Sequence, residues 1–472
     1  MSQRYSIRCA RRENGNPITI PIAIPIAKKS WRLSALPVLA LNNPVSRISP
    51  LSITVWPIQK PATRKKTPLK EKAMFALRRY SHGLTLYLFF SAVAFAAEST
   101  PVAGDLPDPS KPGPYAVGVT TMMLVDHSRT GVATEGGPRS LMTEIWYPAT
   151  DDSRGLPPNR LIDFHANGNP TAAAMMKLAF NADLMASNET FQNFAVRDAR
   201  VREGVFPLLL FSHGNGGMRS QSVFWCEHLA SHGYIVMSPD HTGNCLITFI
   251  DGEPVVFNDS DDGRAIAAEN RPKDLSFLID SMDRMNKGND SRFFGKVDLE
   301  HIGVAGHSFG GFATTAVADQ DPRVKAIAPM AGVARTRSQY DCPVMVVMAT
   351  EDDTIGLEGN ERVREYYTES TGPRYLVEFK NGGHYTFTEM FQFNPAFGDG
   401  IGTGERITNG EPITYVPMDV AFGLTNAYTT AFFERYLKGM TGYDAYLAEN
   451  HNPSELIVES VAPDAIDVAG AR

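Results

Sequence analysis

The 472-residue chain is poor in cysteine, with four in all, and one of these, Cys9, lies near the start. No Cys-x-x-Cys pair and no His/Cys cluster at zinc-ligand spacing occurs, so a zinc module is excluded as the basis of the fold. The remaining thiols leave two arrangements: a Cys226–Cys245 bridge with Cys342 unpaired, or three buried thiols. Long apolar runs are also scarce. The run at 84–95, LTLYLFFSAVAF, falls well short of the roughly 20 residues that a membrane-spanning helix needs. Basic residues are few beyond the first 96 positions. Those 96 carry 16 Lys/Arg and 2 Asp/Glu, leaving 29 basic against 50 acidic residues in the rest. So acidic a body argues against nucleic acid or an anionic membrane as a steady partner. No internal repeat is visible.

What is present begins with an export pattern. Met74 opens a short basic stretch, Arg78-Arg79, followed by the apolar run and then Ala94-Phe95-Ala96. These are the three parts of a signal peptide, assigned to 74–96. Residues 1–73 show no helix or strand periodicity and read as a non-globular leader, with Met74 as the expected true start. A Pro-rich linker at 97–111 follows, then a globular domain at 112–445 and a polar tail at 446–472. An exported protein, monomeric or a small oligomer, is expected.

Within the domain, eight segments read as strands: YAVGVTTMMLVD, LMTEIWYP, VFPLLLFSHG, YIVMSP, HIGVAG, VKAIAPM, PVMVVMAT and YLVEFK. The later ones are apolar throughout, as strands buried on both faces are. Helical stretches alternate with them, one beginning at Pro272, where a helix start tolerates proline. The pattern predicts an α/β fold: a mostly parallel eight-stranded sheet with helices on both faces. Two segments break the rhythm. Residues 155–200 place Met176, Phe180 and Leu184 at helical spacing and are expected to form a cap insertion. Residues 385–417 are rich in Phe and Met (Phe387, Met390, Phe391, Phe393, Phe397) and are expected to form a lid-like loop, the two together walling an acyl site. The stretch NDSDDGRAIAAE (258–269) has glycine and glutamate where a calcium loop would, but its first position is Asn258, its third is Ser260 and no helix precedes it, so it reads as a solvated loop.

Gly306-His307-Ser308-Phe309-Gly310 matches G-x-S-x-G between an apolar strand and a helix. That setting presents a serine hydroxyl on a sharp turn, as a nucleophile requires. A serine needs a base to take its proton and an acid to orient the base, in the chain order Ser, Asp/Glu, His. NGGH after one strand offers His384. Between the elbow and the tail it is the only histidine. ATEDDTIG after the preceding strand offers the acid: Asp353 first, Asp352 as the alternative, Glu351 third. Both loops follow the carboxyl ends of strands, where open α/β sheets hold their ligands. The backbone N–H groups of Phe309 and of Asn215, in SHGNGG, are the candidate oxyanion donors, and His213 is expected to be structural.

FSHGNGG, LASHGYIVMSPDH and GHSFGG, with GPYAVG and TEIWYPA before them, resemble the plasma-type platelet-activating-factor acetylhydrolases and their bacterial relatives over most of 112–320. The likeness implies an α/β-hydrolase fold, Ser308 as nucleophile, and Asn215 and Phe309 as oxyanion donors. It stops at the acid, since APMAGVAR offers no carboxylate where that family has one. EDDTI and NGGH are instead similar to the acid and histidine loops of bacterial cutinases and polyester hydrolases. That likeness implies Asp353 as the acid. The dienelactone hydrolases share the layout but commonly use cysteine. The expected function is an exported serine carboxylesterase acting on short- or medium-chain acyl esters, lipids and polyesters included, with no metal or organic cofactor. The competing readings are a phospholipid deacylase of the acetylhydrolase type, a peptidase or amidase, and a non-catalytic binding protein on the same scaffold.

Overall fold

The computed structural model describes residues 106–462 except 133–135, 167, 181–190, 335–341 and 390–397, together with a pair of three-residue antiparallel strands, Ser6–Arg8 and Thr19–Pro21. The signal-peptide segment 74–96, and Leu184, Met390, Phe391, Phe393 and Phe397 of the expected cap and lid, lie outside the described residues.

In chain order the strands are β1 (Ala116–Thr130), β2 (Pro138–Ala149), β3 (Val196–Arg197), β4 (Phe206–Ser212), β5 (Ile235–Pro239), β6 (Ile247–Ile250), β7 (Glu253–Val256), β8 (Val297–His307), β9 (Val324–Met330), β10 (Val344–Ala349), β11 (Arg374–Phe379), β12 (Thr403–Glu405), β13 (Pro412–Thr414) and β14 (Leu456–Val461). The α-helices are α1 (Leu161–Ala166), α2 (Pro170–Phe180), α3 (Val223–Ser231), α4 (Asp261–Lys287), α5 (Phe309–Gln320), α6 (Gly356–Glu369), α7 (Met418–Leu437) and α8 (Asp444–Ala448).

The main sheet runs β14-β11-β10-β9-β8-β4-β5-β2-β1-β3. From β5 through β11 every pairing is parallel, as is the short pairing of β1 with β3, while β1–β2, β2–β5 and β11–β14 are antiparallel. All eight expected strands are present, but the sheet has ten. The two-residue β3 is too short to leave a sequence signal. The edge strand β14 comes from the stretch read as tail: it is six residues long, only Leu456 in it is buried, and Glu459 is exposed.

Strand β4 shows why these runs are apolar on both faces. Leu208 and Leu210 join one buried cluster with residues of α4, α5 and α6, whereas Leu209 and Phe211 join another with residues of α3 and α7. Each such side chain withdrawn from water contributes about 1.5–3 kcal/mol, so helices on both faces are needed to bury the strand.

Helix α4 corrects two expectations. It starts at Asp261, so the segment read as a solvated loop is a helix start: Ser260 Oγ accepts the Gly263 N–H at 3.0 Å, and Asp261 and Asp262 occupy the first turn. Pro272 therefore lies in the helix interior rather than at its first turn. Proline there has no N–H for the Ala268 carbonyl, a defect tolerated in a 27-residue helix anchored at both ends. Cys226 and Cys245 are free and buried, so no bridge joins them, and Cys342 is buried as well. Among the described residues no helix is long and apolar enough to cross a membrane.

Candidate active site

Ser308 sits between the end of β8 and the first residue of α5 with φ 57° and ψ −117°. A non-glycine residue in that region costs about 1–3 kcal/mol. The surroundings hold it there: its N–H donates to the Met330 carbonyl at 2.7 Å, and its own carbonyl accepts from Phe312 N–H. The flanking glycines are required by contact, not by their own φ. A Cβ at Gly310 would lie 1.8 Å from the Ser212 carbonyl oxygen, and one at Gly306 would lie 2.5 Å from the Gly310 carbonyl oxygen.

The loops after β10 and β11 converge beside this turn. His384 Nδ1 lies 2.8 Å from Oδ2 of Asp352, with both side chains buried. The structure therefore sets Asp352, and not the expected Asp353, against the histidine. The reason is local. The turn after β10 directs Asp352 inward, where its Oδ1 also accepts the Ile355 N–H at 3.1 Å, and leaves Asp353 exposed to solvent. Glu351 points elsewhere, accepting from Arg406 at 2.8 Å and from the Ile407 N–H.

The segment beyond residue 397 braces these loops. Asp399 Oδ1 accepts the His384 N–H at 3.1 Å, and its Oδ2 accepts the Thr354 N–H and hydroxyl. The described part of the expected lid thus ties the acid and base loops together from the side.

A second set of bonds connects the base to the SHGNGG loop. Gln221 Oε1 accepts the Gly214 N–H at 2.9 Å, so its amide Nε2 is the donor to His307 Nδ1 at 3.0 Å. His307 then carries its proton on Nε2, which donates to the His384 carbonyl at 2.8 Å. Burial, reinforced by His384, holds His307 well below its ordinary pKa, as this neutral tautomer requires. His213 is likewise buried and neutral. Its Nε2 accepts the His241 N–H, and desolvation and then Arg271 push its pKa down.

Asn215 and Phe309 both line a groove of about 980 Å³ that opens at Ser308. Neither backbone N–H finds an acceptor among the described residues. Phe309 is the first residue of α5, where helix N–H groups have no partner within the helix. The apolar wall of the groove is made by Phe309 and Phe312 of α5, Ala265 and Ala268 of α4, and Ile355 and Val363 beside and on α6. Among the described residues, none from 155–200 lines the groove. Met176 instead packs with Met218 and Ile247 in a separate buried cluster.

Beneath the SHGNGG loop lies a second Ser–His–Asp chain that is fully buried. Ser212 Oγ is 2.9 Å from His241 Nε2, and His241 Nδ1 is 2.8 Å from Asp274 Oδ2. Burial pulls the His241 pKa down to about 4. All three residues are shut off from solvent, so no substrate reaches Ser212 and the chain is structural. No sequence motif marks it, because Asp274 comes from the middle of α4.

Two buried carboxylates border the base loop on its other side. Glu389 Oε2 accepts the Phe224 N–H at 2.9 Å, and Glu227 Oε2 accepts the Phe194 N–H at 2.8 Å. Burial pushes each up to about 8, with Glu227 adding repulsion at Glu389. A carboxyl group whose folded pKa is raised stabilises fully below its unfolded value of about 4.5 and loses that contribution as pH rises through about 8. Glu389→Gln cannot ionise. Urea denaturation is expected to show the wild type falling behind this variant by more than 1 kcal/mol between pH 5 and pH 8. The buried histidines act in the opposite sense over the lower part of this range, but they cancel in the comparison. A constant difference between the two proteins across that range would show that Glu389 does not titrate there.

Comparison with known proteins follows the same geography. Residues 103–255 match the family model described as platelet-activating factor acetylhydrolase, isoform II, and residues 204–394 match the PET hydrolase-like model. The chain is similar to lipase 1 of Moraxella sp. (strain TA144), 24% identical over 49% of this chain and 56% of the lipase. It is similar to the platelet-activating factor acetylhydrolase of Cavia porcellus, 21% identical over 70% of this chain and 78% of the relative. Against cutinase est1 of Thermobifida alba it is 28% identical over 38% of this chain and 53% of the cutinase. The chain thus spans only about half the length of two of these relatives. A solved ferulic acid esterase from Streptomyces cinnamoneus superposes with a TM-score of 0.53 at 26% identity, over 69% of this chain and 91% of that one. Both likenesses expected from the sequence are borne out, and the chain adopts the α/β-hydrolase fold.

Proposed function

We propose that the chain is an exported serine carboxylesterase. Ser308 Oγ attacks the carbonyl carbon of an ester while His384 takes its proton, and Asp352 holds the imidazole in the tautomer that can accept it. The oxyanion forms against the N–H groups of Asn215 and Phe309. Collapse expels the alcohol, which receives the proton from His384. Water then repeats the sequence on the acyl-enzyme and regenerates Ser308. The observation that carries this reading is the 2.8 Å pair between His384 and Asp352 beside a serine held at positive φ. The names of the relatives, lipase, cutinase, acetylhydrolase and ferulic acid esterase, all describe ester cleavage and support it.

The groove running from Ser308 over α5, mostly apolar but edged by Arg264, Asp319 and Arg362, suits an acyl chain or an aromatic acid. Short- and medium-chain acyl esters are therefore the proposed substrates, with polyester chain ends as the extended case. A fluorophosphonate is expected to label the protein at Ser308, located by peptide mass spectrometry. A p-nitrophenyl ester series from C2 to C16, with a phospholipid and a polyester film alongside, is expected to give its highest kcat/KM between C2 and C8. The protein recovered from the medium of its host is expected to begin at Ala97. No labelling and no hydrolysis of any ester would favour a binding protein on this scaffold. A maximum on the phospholipid would favour the deacylase.

A further inference from the structure

We infer that Arg271 is a positioning residue that fixes both oxyanion donors at once. The inference rests on the proposed roles of Ser308, Asn215 and Phe309. Arg271 belongs to α4 and is buried without a carboxylate in contact; its donors go almost entirely to one loop. Nη1 donates to the His213 carbonyl and, at 3.3 Å, to Ser212 Oγ. Nη2 donates to the Gly214 carbonyl at 2.9 Å and faces His213 Nδ1 at 3.3 Å. Nε donates to Asn244 Oδ1 at 2.8 Å, and the guanidinium carbon sits 4.8 Å from the centre of the Phe309 ring.

Peptide geometry turns these contacts into a constraint on the site. The Gly214 carbonyl and the Asn215 N–H belong to one planar trans unit, so they point in opposite directions. Holding the carbonyl down on Arg271 aims the Asn215 N–H up, toward the groove. The preceding unit is pinned at both ends: its carbonyl, on His213, meets Arg271, and its N–H, on Gly214, meets Gln221. The same guanidinium lies over the side chain of Phe309, whose N–H is the second donor. Burial works against the charge on Arg271, and the Asp274 carboxylate one helical turn on works for it.

Two elements distant in sequence, the loop after β4 and the start of α5, are therefore referenced to one rigid, planar group. Lysine would supply the charge but not the fork, since a single ammonium cannot hold both carbonyls in this geometry.

The test is Arg271→Lys in the full chain, with folding checked by circular dichroism and the melting temperature. A folded variant is expected to lose about 10²-fold in kcat with KM within about threefold, the size of losing one oxyanion donor. Affinity for an alkyl boronic acid, which forms a tetrahedral adduct on the serine, is expected to fall by a similar factor. Asn244→Ala, which frees Nε and also removes the Asn244 Nδ2 donor to Asn215 Oδ1, is expected to lose about tenfold in kcat. Asn244→Asp, which keeps an acceptor for Nε but supplies no donor to Asn215, is expected to recover most of it, which assigns the loss to Arg271. The inference is overturned if folded Arg271→Lys keeps kcat within threefold, or loses kcat while boronic acid affinity is unchanged. If Arg271→Lys does not fold, the Asn244 pair decides. A loss in Asn244→Ala that Asn244→Asp restores supports the inference; no loss, or a loss left unrestored, overturns it. A wild type that hydrolyses no ester and binds no boronic acid would instead remove the underlying reading of the site.

Discussion

Asp352→Asn is expected to lower kcat about 10⁴-fold, while Asp353→Asn leaves it within about twofold. The two carboxylates are adjacent in sequence and opposite in environment. Asp352 is fully buried and 2.8 Å from His384 Nδ1, whereas Asp353 is exposed to water. An asparagine at 352 can present its amide N–H to Nδ1, which favours the tautomer with the proton on Nε2. That tautomer cannot accept a proton from Ser308. The fold should survive, because Asn keeps both the shape of Asp and an oxygen for the Ile355 N–H. Steady-state kinetics on one p-nitrophenyl ester, with both variants checked by circular dichroism, decide the matter. The reverse pattern, with Asp353→Asn inactive and Asp352→Asn active, would restore the assignment that the cutinase likeness implies.

The difference between these neighbours shows where sequence reading stops. GHSFGG, SHGNGG and NGGH are legible because their chemistry depends on backbone that only glycine permits at close contact, and glycine leaves a mark in the sequence. Which of two successive aspartates faces inward depends on how the chain leaves β10, and nothing in EDDTI records that. Asp399 and Gln221 were missed for a related reason. Each acts through hydrogen bonds to two separate loops, Gln221 to those of Gly214 and His307 and Asp399 to those of Thr354 and His384, so no single spacing connects it to the site it serves. Arg271 looks like a solvated charge on a polar helix, since α4 carries many charged residues and only the packed structure shows which of them face inward. The sheet was easier to read because burial on both faces leaves unbroken apolar runs. Its edge strand β14 is short and only partly buried, with polar residues around it, so it gives no such run.

The same physics predicts the largest effect on stability. Asp274→Ala is expected to cost about 3–5 kcal/mol, the range for breaking a buried ion pair from one side. Asp274 is fully buried and accepts from Arg139 through both oxygens, at 2.5 and 2.6 Å, from Arg129 at 2.9 Å and from His241 at 2.8 Å. Removing it leaves the buried Arg139 guanidinium without its counter-charge and releases His241, which anchors Ser212 just before the SHGNGG loop. Its charged partners, Arg139 foremost, hold the Asp274 carboxyl well below the usual carboxylate range against the opposing effect of burial. A depressed folded pKa contributes stability that is present above the unfolded value near 3.9 and lost as pH falls below it. Glu227 and Glu389 act in the opposite sense, so carboxylates on the two sides of the site set limits at opposite ends of the pH range. Urea denaturation at pH 7 measures the cost, and repeating it at pH 3 should show the gap between wild type and Asp274→Ala narrowing. A loss under about 1 kcal/mol at pH 7 would mean that the arginines find water or other partners, and that this buried network does not carry the loop above it.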